Sequence, residues 1–196
     1  MNILPPFQGC ALSTGRAALT LYTIGHSNIL ASALIDLLQR SHIQTVVDVR
    51  SSPYSQYSPQ YNRENLVRTL HESGIEYKYA GDRLGGRPKD PTCYKDQTIP
   101  DGKSDYLHLV DYPTIMTKEW YLQAIQWLIE IGQDNRVAIM CSEEDPARCH
   151  RHHLIAKTLV AHGVGVLHIR GDCTIIKDQQ LPDLPDEPPA RQLPLF

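Results

Sequence analysis

Residues 136–153 read Arg-Val-Ala-Ile-Met-Cys-Ser-Glu-Glu-Asp-Pro-Ala-Arg-Cys-His-Arg-His-His, and this stretch decides the predicted fold. The apolar run at its start, rich in residues that favour strands, predicts a buried β-strand. Asp145-Pro146 then provides a helix N-cap with proline at the first helical position. Cys141 is therefore predicted at the carboxyl end of a strand, in a turn leading to a helix over 149–162. In open α/β sheets, ligands bind at that edge.

Strand and helix signals alternate along the rest of the chain. Strands are predicted at 19–24, 45–49, 75–79 and 165–169, and helices at 29–40, 62–72 and 118–131. The segment 80–113 is predicted to be long and irregular. The alternation predicts an α/β fold, a single domain with a mostly parallel sheet and helices on both faces, in a Rossmann-like three-layer arrangement.

Composition sets the broad class of protein. The chain has 196 residues, of which 41% are hydrophobic and 21% charged, with a net charge of −3. These values suit a soluble globular domain and give no overall basic field for nucleic acid. No apolar run approaches the ~20 residues of a membrane span, and the first residues lack a signal-peptide pattern. Five scattered cysteines indicate a reducing compartment. We expect a cytoplasmic protein without a membrane partner.

Three regions are predicted along the chain. Residues 1–18 form an N-terminal extension, 19–177 the α/β domain, and 178–196 an acidic, proline-rich tail. The tail ends in Gln-Leu-Pro-Leu-Phe, which looks like the short peptide by which bacterial polymerases and repair proteins dock on the sliding clamp. An extended leash would present apolar side chains to a groove, with glutamine as a polar anchor. The predicted docking residues are Gln192, Leu193, Leu195 and Phe196. Alternatively, the peptide packs on its own domain.

Polar residues follow three of the predicted strands. They are His26, then Asp48 with Arg50, and finally Cys141. The carboxyl ends of parallel strands share one edge of a sheet, so these residues converge if the three strands are neighbours. The alternatives are that Asp48 is a buried structural acid and that His26 caps the following helix.

Two interpretations of the cysteine motif use its sulfur atoms. In one, Cys141 is a nucleophilic or redox thiol, ionised by a helix N-terminus and by Arg148 or Arg151. Three acids in the same turn oppose this, and the spacing to Arg148 is one residue longer than in cysteine phosphatases. In the other, the motif binds a metal ion through two thiols and two imidazoles. The candidate ligands are Cys141, Cys149, His150 and His153.

A third interpretation gives the chemistry to Glu143 as a general acid or base, with Arg50 and Arg151 holding an anionic substrate. Tyrosines and arginines would add stacking and phosphate contacts. Alternatively, the tyrosines cover the sheet edge, the arginines are solvated, and Cys149 is a structural core residue.

Several motifs together resemble a known family. They are Thr23-Ile-Gly-His-Ser27, Asp48-Val-Arg50 with Pro53, Ser58-Pro-Gln-Tyr-Asn62, Gly74-Ile-x-Tyr77, Leu84-Gly-Gly86, and Cys141-x-Glu-x-x-Pro-x-x-Cys-His-Arg151. The chain resembles the bacterial domain of unknown function family 488 over roughly 20–170. The resemblance implies a compact α/β domain and brings no established reaction. The segment 90–103 departs from the family pattern.

These observations define the predicted site. The predicted catalytic residues are Cys141, Glu143, Asp48, Arg50 and Arg151. The predicted substrate-binding residues are His26, Tyr57, Asn62, Gly85, Gly86, Arg87, Cys149 and His150. The function predicted is an enzyme acting on nucleic acid or a nucleotide, linked to DNA repair or replication by the tail. The alternatives are a non-catalytic nucleic-acid-binding or protein-binding module and a thiol-redox or metal-binding protein.

Overall fold

A six-stranded sheet forms the centre of the molecule. The computed structural model describes residues 19–102 and 104–184. The strands are β1 (Thr20–Gly25), β2 (Thr45–Asp48), β3 (Glu76–Tyr79), β4 (Val137–Cys141), β5 (Gly165–Ile169) and β6 (Ile175–Lys177). They lie in the order β3-β2-β4-β1-β5-β6, and only the edge strand β6 is antiparallel to its neighbour among these six.

Helices cover both faces of this sheet. They are α1 (Ala31–Arg40), α2 (Arg63–Glu72), α3 (Gly81–Leu84), α4 (Tyr106–Leu109), α5 (Tyr112–Ile115), α6 (Glu119–Asp134) and α7 (Lys157–Ala161). Apolar residues of α1 and α2 pack in one cluster with alternate strand residues. Residues of α6 and α7 pack in a second cluster with the remaining strand residues. The predicted α/β fold with a mostly parallel sheet and helices on both faces is confirmed.

The central strand β4 places the cysteine motif. All five of its residues are buried, as expected for a parallel strand covered on both faces. It pairs with β2 on one side and β1 on the other. The chain leaves β1 and β2 toward the α1 and α2 face, whereas it leaves β4 toward the α7 face. Opposite departures from neighbouring strands open a crevice at the carboxyl edge of the sheet.

Two predicted helix starts differ from the structure. Helix α1 begins at Ala31, with Leu30 at the N-cap position, instead of at residue 29. Asp145 is a cap, with its carboxylate accepting the Ala147 amide at 3.0 Å, but the element it caps is a short 3₁₀ turn, Pro146–Arg148. The proline fixes φ for that turn, and the chain becomes extended at Cys149 before the next helix begins.

The helix predicted over 149–162 opens in an unexpected form. Its first part, Arg151–Ala156, is a π-helix whose six residues are all buried, and α7 follows directly. A π-helical segment is rare, and such segments frequently lie at functional sites. Here it turns the consecutive polar side chains of Arg151, His152 and His153 into the protein, where each finds a partner.

The segment 80–113 is more ordered than predicted. It contains α3, α4 and α5, together with a 3₁₀ turn at Pro91–Cys93. An antiparallel bridge joins Tyr94 to Val110, and both side chains are buried. The tyrosine and the valine therefore anchor this segment on the α6 face of the sheet.

The start of the predicted tail packs on the domain. Asp178 is buried, and its carboxylate contacts His152 and His168 at 2.5 and 2.9 Å. The domain contacts therefore extend beyond residue 177. The predicted N-terminal extension 1–18 and docking residues 192–196 lie outside the described residues. Within 19–102 and 104–184, no helix is both long and apolar enough to cross a membrane.

Candidate functional site

The ends of β1, β2 and β4 meet, as predicted from their polar residues. The His26 amide donates to the Cys141 carbonyl at 3.0 Å, and the Ser27 amide donates to the Ser142 carbonyl at 2.8 Å. A side chain at Gly25 would meet the Glu143 carbonyl, because an added Cβ would lie 1.7 Å from that oxygen. Glycine at this position therefore allows the two strand ends to approach each other.

A cavity of about 960 Å³ opens at this edge. Its walls include side chains from the β4 turn, from the loop after β2 and from the segment containing α4. The volume lies at the upper end of the range for small-molecule sites. The lining residues that sequence analysis predicted as site residues are Arg50, Gly86, Arg87, Cys141, Glu143, Cys149 and His150.

Two thiols and one imidazole lie together at the base of the cavity. The Nδ1 atom of His150 is 3.9 Å from the Cys141 Sγ and 3.8 Å from the Cys149 Sγ. The three atoms lie within 4.8 Å of one another, and all three residues are buried. Both cysteines are free thiols. This group is hereafter called the thiol–imidazole cluster.

The two thiols differ in their tendency to ionise. A hydrogen bond with Cys149, together with burial, raises the pKa of Cys141 well above its usual value. Burial opposes ionisation of Cys149 as well. The hydrogen bond from Cys141 and the charges of Arg151 and His150 nevertheless hold the pKa of Cys149 well below its usual value. Of the two thiols, Cys149 is therefore the one that ionises more readily.

Asp48 and Arg50 form a buried ion pair. The guanidinium donates Nε–H and Nη2–H to the two carboxylate oxygens at 2.9 and 2.7 Å. The Arg50 amide and the Tyr77 hydroxyl donate to the same carboxylate. All the acceptor positions of Asp48 are occupied, so this residue shapes the loop after β2, as in the structural alternative considered for it. Arg50 contacts the cavity but uses four of its five N–H groups inside the protein.

His26 belongs to the same network. Its Nδ1 donates to the Ser27 carbonyl at 2.7 Å, which leaves Nε2 to accept a hydrogen bond from Arg50 at 3.2 Å. Its ring stacks on Tyr61 with a centroid distance of 4.0 Å. Burial and the adjacent Arg50 charge lower the pKa of His26 to about 4. The imidazole is therefore neutral near pH 7. It does not line the cavity, and its role is to hold Arg50 in place.

Arg151 has a different place from the one predicted. Its side chain is fully buried. The guanidinium donates to the Thr23 hydroxyl at 3.2 Å, to the Glu144 carbonyl at 2.6 Å and to the Glu143 carbonyl. These contacts hold the turn after β4, and burial leaves no surface with which Arg151 could grip a substrate. It is a positioning residue.

The neighbouring glutamates face different surroundings. Glu144 forms a bidentate ion pair with Arg170 at 2.8 and 2.7 Å, which joins the turn to the end of β5. The carboxylate of Glu143 is exposed, lines the cavity and has no hydrogen bond or ion pair to any described residue. It is therefore free to act on a bound molecule.

The glycine pair packs on the site. A Cβ on Gly86 would lie 2.7 Å from the His150 Nδ1, so the backbone of Gly86 covers the imidazole ring directly. Gly85 packs against Ser51 and the Gly81 carbonyl and does not line the cavity. The next residue, Arg87, is exposed, with its guanidinium 4.4 Å from the centre of the Tyr106 ring.

Three predicted site residues lie away from the cluster. Tyr57 is 90% exposed and does not line the cavity. The side chain of Asn62 accepts the Ser55 amide at 2.7 Å and so closes its own loop. His153 donates its Nε2–H to the Ala147 carbonyl at 2.6 Å, instead of joining the two thiols. The metal set predicted from sequence therefore loses one of its four members.

Two residues at α4 that were not predicted from the sequence also belong to the site. The Nδ1 atom of His108 lies 2.8 Å from an Asp105 carboxylate oxygen, whereas Nε2 is buried without a described partner. Both residues line the cavity. The segment was predicted to be irregular, so its polar residues were not assigned to the sheet edge. The Asp-x-x-His spacing of a short helix was the available signal.

The family comparison agrees with the motif resemblance. The family model described as "Domain of unknown function DUF488" matches residues 31–158, which include the turn after β2, the cavity loops and the cysteine motif. No curated protein and no solved structure matches the chain significantly. The match covers well over half of the chain. The chain therefore belongs to the DUF488 family.

Proposed function

We propose that this protein is an enzyme acting on nucleic acid or a nucleotide, with its chemistry at the thiol–imidazole cluster and Glu143. The observation that carries the proposal is the cavity at the carboxyl edge of the sheet, where the cluster and a free carboxylate share one opening. Catalytic groups collect at this edge in α/β enzymes.

The side chains at the rim of the cavity suit a substrate that carries both negative charge and aromatic bases. Arg87 and Arg148 are exposed cations that line it. Tyr54 and Tyr106 also line it and provide faces on which a base can stack. Arginine suits phosphate oxygens because its guanidinium donates in pairs.

Glu143 is the proposed general acid or base. Its carboxylate is exposed in the cavity and is not committed to another described residue. Arg151 fixes the backbone of the turn that carries it. A carboxylate held by a rigid turn and accessible to solvent can exchange a proton with a bound substrate.

Replacing Glu143 with glutamine should separate catalysis from binding. In the full-length protein, Glu143→Gln is expected to reduce turnover by about a hundredfold while changing substrate affinity by less than about threefold. Turnover is screened on single-stranded DNA, duplex DNA, RNA and free nucleotides. The matched control is Glu72→Gln, an exposed glutamate outside the cavity. Binding without turnover by the unsubstituted protein would contradict the enzyme assignment and favour the non-catalytic binding module.

We further propose that residues 192–196 dock on a bacterial sliding clamp and so link the enzyme to DNA repair or replication. The support is the sequence Gln-Leu-Pro-Leu-Phe after a proline-rich acidic stretch. A cytoplasmic location is part of the same proposal, and the four free cysteines of the described part of the chain agree with a reducing compartment.

Deleting residues 192–196 is expected to abolish clamp binding. The intact chain should bind a purified clamp with a dissociation constant of roughly micromolar order, because a few apolar anchors supply most of the energy of such short peptides. Calorimetry measures both forms. A Phe196→Ala variant keeps the tail length and should lose most of the affinity. Equal binding by the intact and truncated forms would contradict the assignment.

A further inference from the structure

We propose that Cys141, Cys149 and His150 bind a single zinc-type divalent ion, with a fourth coordination position open to the cavity. The site goes beyond the proposed function, because it does not depend on which substrate the enzyme takes. It also revises the ligand set predicted from sequence, since it excludes His153.

The spacing of the three donor atoms fits tetrahedral coordination. A zinc ion lies about 2.3 Å from thiolate sulfur and about 2.1 Å from imidazole nitrogen, which gives a sulfur–nitrogen edge of about 3.6 Å. The observed separations from His150 Nδ1 are 3.9 Å to Cys141 and 3.8 Å to Cys149. A contraction of a few tenths of an ångström would bring each sulfur–nitrogen separation to this value.

The second buried cluster with metal-binding residue types has a different geometry. His152, His168 and Asp178 also come together. Their imidazole nitrogens lie 2.5 and 2.9 Å from one carboxylate oxygen of Asp178. These are hydrogen-bond lengths and leave no room for an ion between the partners. Of these two clusters, therefore, only the thiol–imidazole cluster has donor separations that suit an ion.

Two neighbours of the cluster suit a metal site. The Arg151 guanidinium is buried and donates to hydroxyl and carbonyl oxygens, with no ion pair to a described carboxylate, so its positive charge can stabilise an anionic ligand set near it. The Gly86 backbone lies against the His150 ring and fixes its orientation. Contacts of this kind orient ligands in metalloproteins.

The number of ligands indicates a reactive site rather than a structural one. Structural zinc sites are usually closed by four protein ligands, whereas catalytic sites have three and an open position. All three ligand residues line the cavity, together with Glu143. An ion held there would polarise a water molecule or a substrate oxygen beside that carboxylate.

The test is direct metal binding to the reduced full-length protein. After chelation and dialysis, Co²⁺ is added and thiolate-to-cobalt absorption and tetrahedral d–d bands are recorded, and Zn²⁺ affinity is measured against a competing chelator dye. We expect one ion per chain. Cys149→Ser and His150→Ala should each weaken Zn²⁺ binding by at least about a hundredfold.

Two controls and a fold check accompany these variants. Cys173→Ser removes an exposed thiol, and His153→Gln removes the excluded imidazole, and both should retain Zn²⁺ affinity within about threefold. Circular dichroism confirms that each variant is folded. The proposal is overturned if the reduced protein binds no ion, if Cys149→Ser binds as tightly as the unsubstituted chain, or if His153→Gln causes the larger loss. A Cys141–Cys149 disulfide forming in place of metal uptake would also overturn it.

Discussion

Replacing Arg151 with methionine is expected to lower the free energy of unfolding by about 4 kcal/mol. The guanidinium is fully buried and donates to the Thr23 hydroxyl and to the carbonyls of Glu143 and Glu144. Methionine fills much of the same volume but donates no hydrogen bond, so these oxygens lose their partners. The turn that carries Glu143 then loses the group that fixes it.

Urea denaturation of metal-free protein measures this effect. Arg148→Met is the matched control, because Arg148 is an exposed arginine in the same motif. It should change stability by less than about 0.5 kcal/mol. Arg151→Lys keeps the charge, but its three donors radiate from one nitrogen and cannot match oxygens that Nε, Nη1 and Nη2 each contact, so it should recover only part of the loss. Equal stability of Arg151→Met and the unsubstituted chain would contradict a positioning role.

Acidification is expected to destabilise the protein through His26. Burial and the Arg50 charge lower the pKa of this imidazole from 6.5 to about 4 in the folded protein. Between these two values the unfolded chain binds the additional proton, so unfolding is favoured as the pH falls. The contribution is complete above about pH 6.5 and is lost on approaching pH 4. The difference between the two pKa values corresponds to about 3 kcal/mol.

Urea titrations between pH 7 and pH 4 measure this dependence. His26→Gln keeps a neutral acceptor near Arg50. In that interval it should reduce the slope of the free energy of unfolding against pH by the equivalent of about one bound proton. His71→Gln, which removes an exposed histidine of α2, should leave the slope unchanged. If His26→Gln and the unsubstituted protein show the same slope, the neutral buried imidazole is not the cause.

The overall fold follows closely from local patterns. The all-apolar run of β4 and the buried spacing of Leu34, Leu37 and Leu38 in α1 indicate their elements directly. Gly74 ends α2 with φ +72°, a conformation that glycine adopts without strain. The convergence of His26, Asp48 and Cys141 could be predicted because it depends only on three parallel strands being neighbours. In the sheet, β2, β4 and β1 are neighbours.

The roles of individual side chains are harder to predict. Arg151 and Arg148 are both arginines of one motif, yet one is fully buried and the other is exposed. The π-helix over Arg151–Ala156 replaces the regular α-helical spacing, which would have placed His153 beside Cys149. A local sequence pattern does not reveal this change from α-helical to π-helical spacing, because the π-helix is stabilised by the packing of the whole segment against the rest of the domain.

The α4 residues illustrate a second reason for incomplete prediction. Tyr106 and His108 reach the cavity because the bridge between Tyr94 and Val110 fixes the ends of a long connection. That pairing depends on tertiary packing and has no strong signature in a short polar segment. The His108–Asp105 pair therefore becomes evident only when the cavity is assembled.

The most direct test of the central claim is nucleic-acid binding at the rim of the cavity. Fluorescence anisotropy with a labelled single-stranded oligonucleotide compares the unsubstituted chain with the double variant Arg87→Gln/Arg148→Gln. The control, Arg40→Gln/Arg68→Gln, changes the charge equally on helices α1 and α2, at positions outside this cavity. We predict that the rim variant binds about tenfold more weakly and with a smaller salt dependence, whereas the control is unchanged. No binding by the unsubstituted chain, or equal losses in the two double variants, would contradict the claim that this cavity receives nucleic acid.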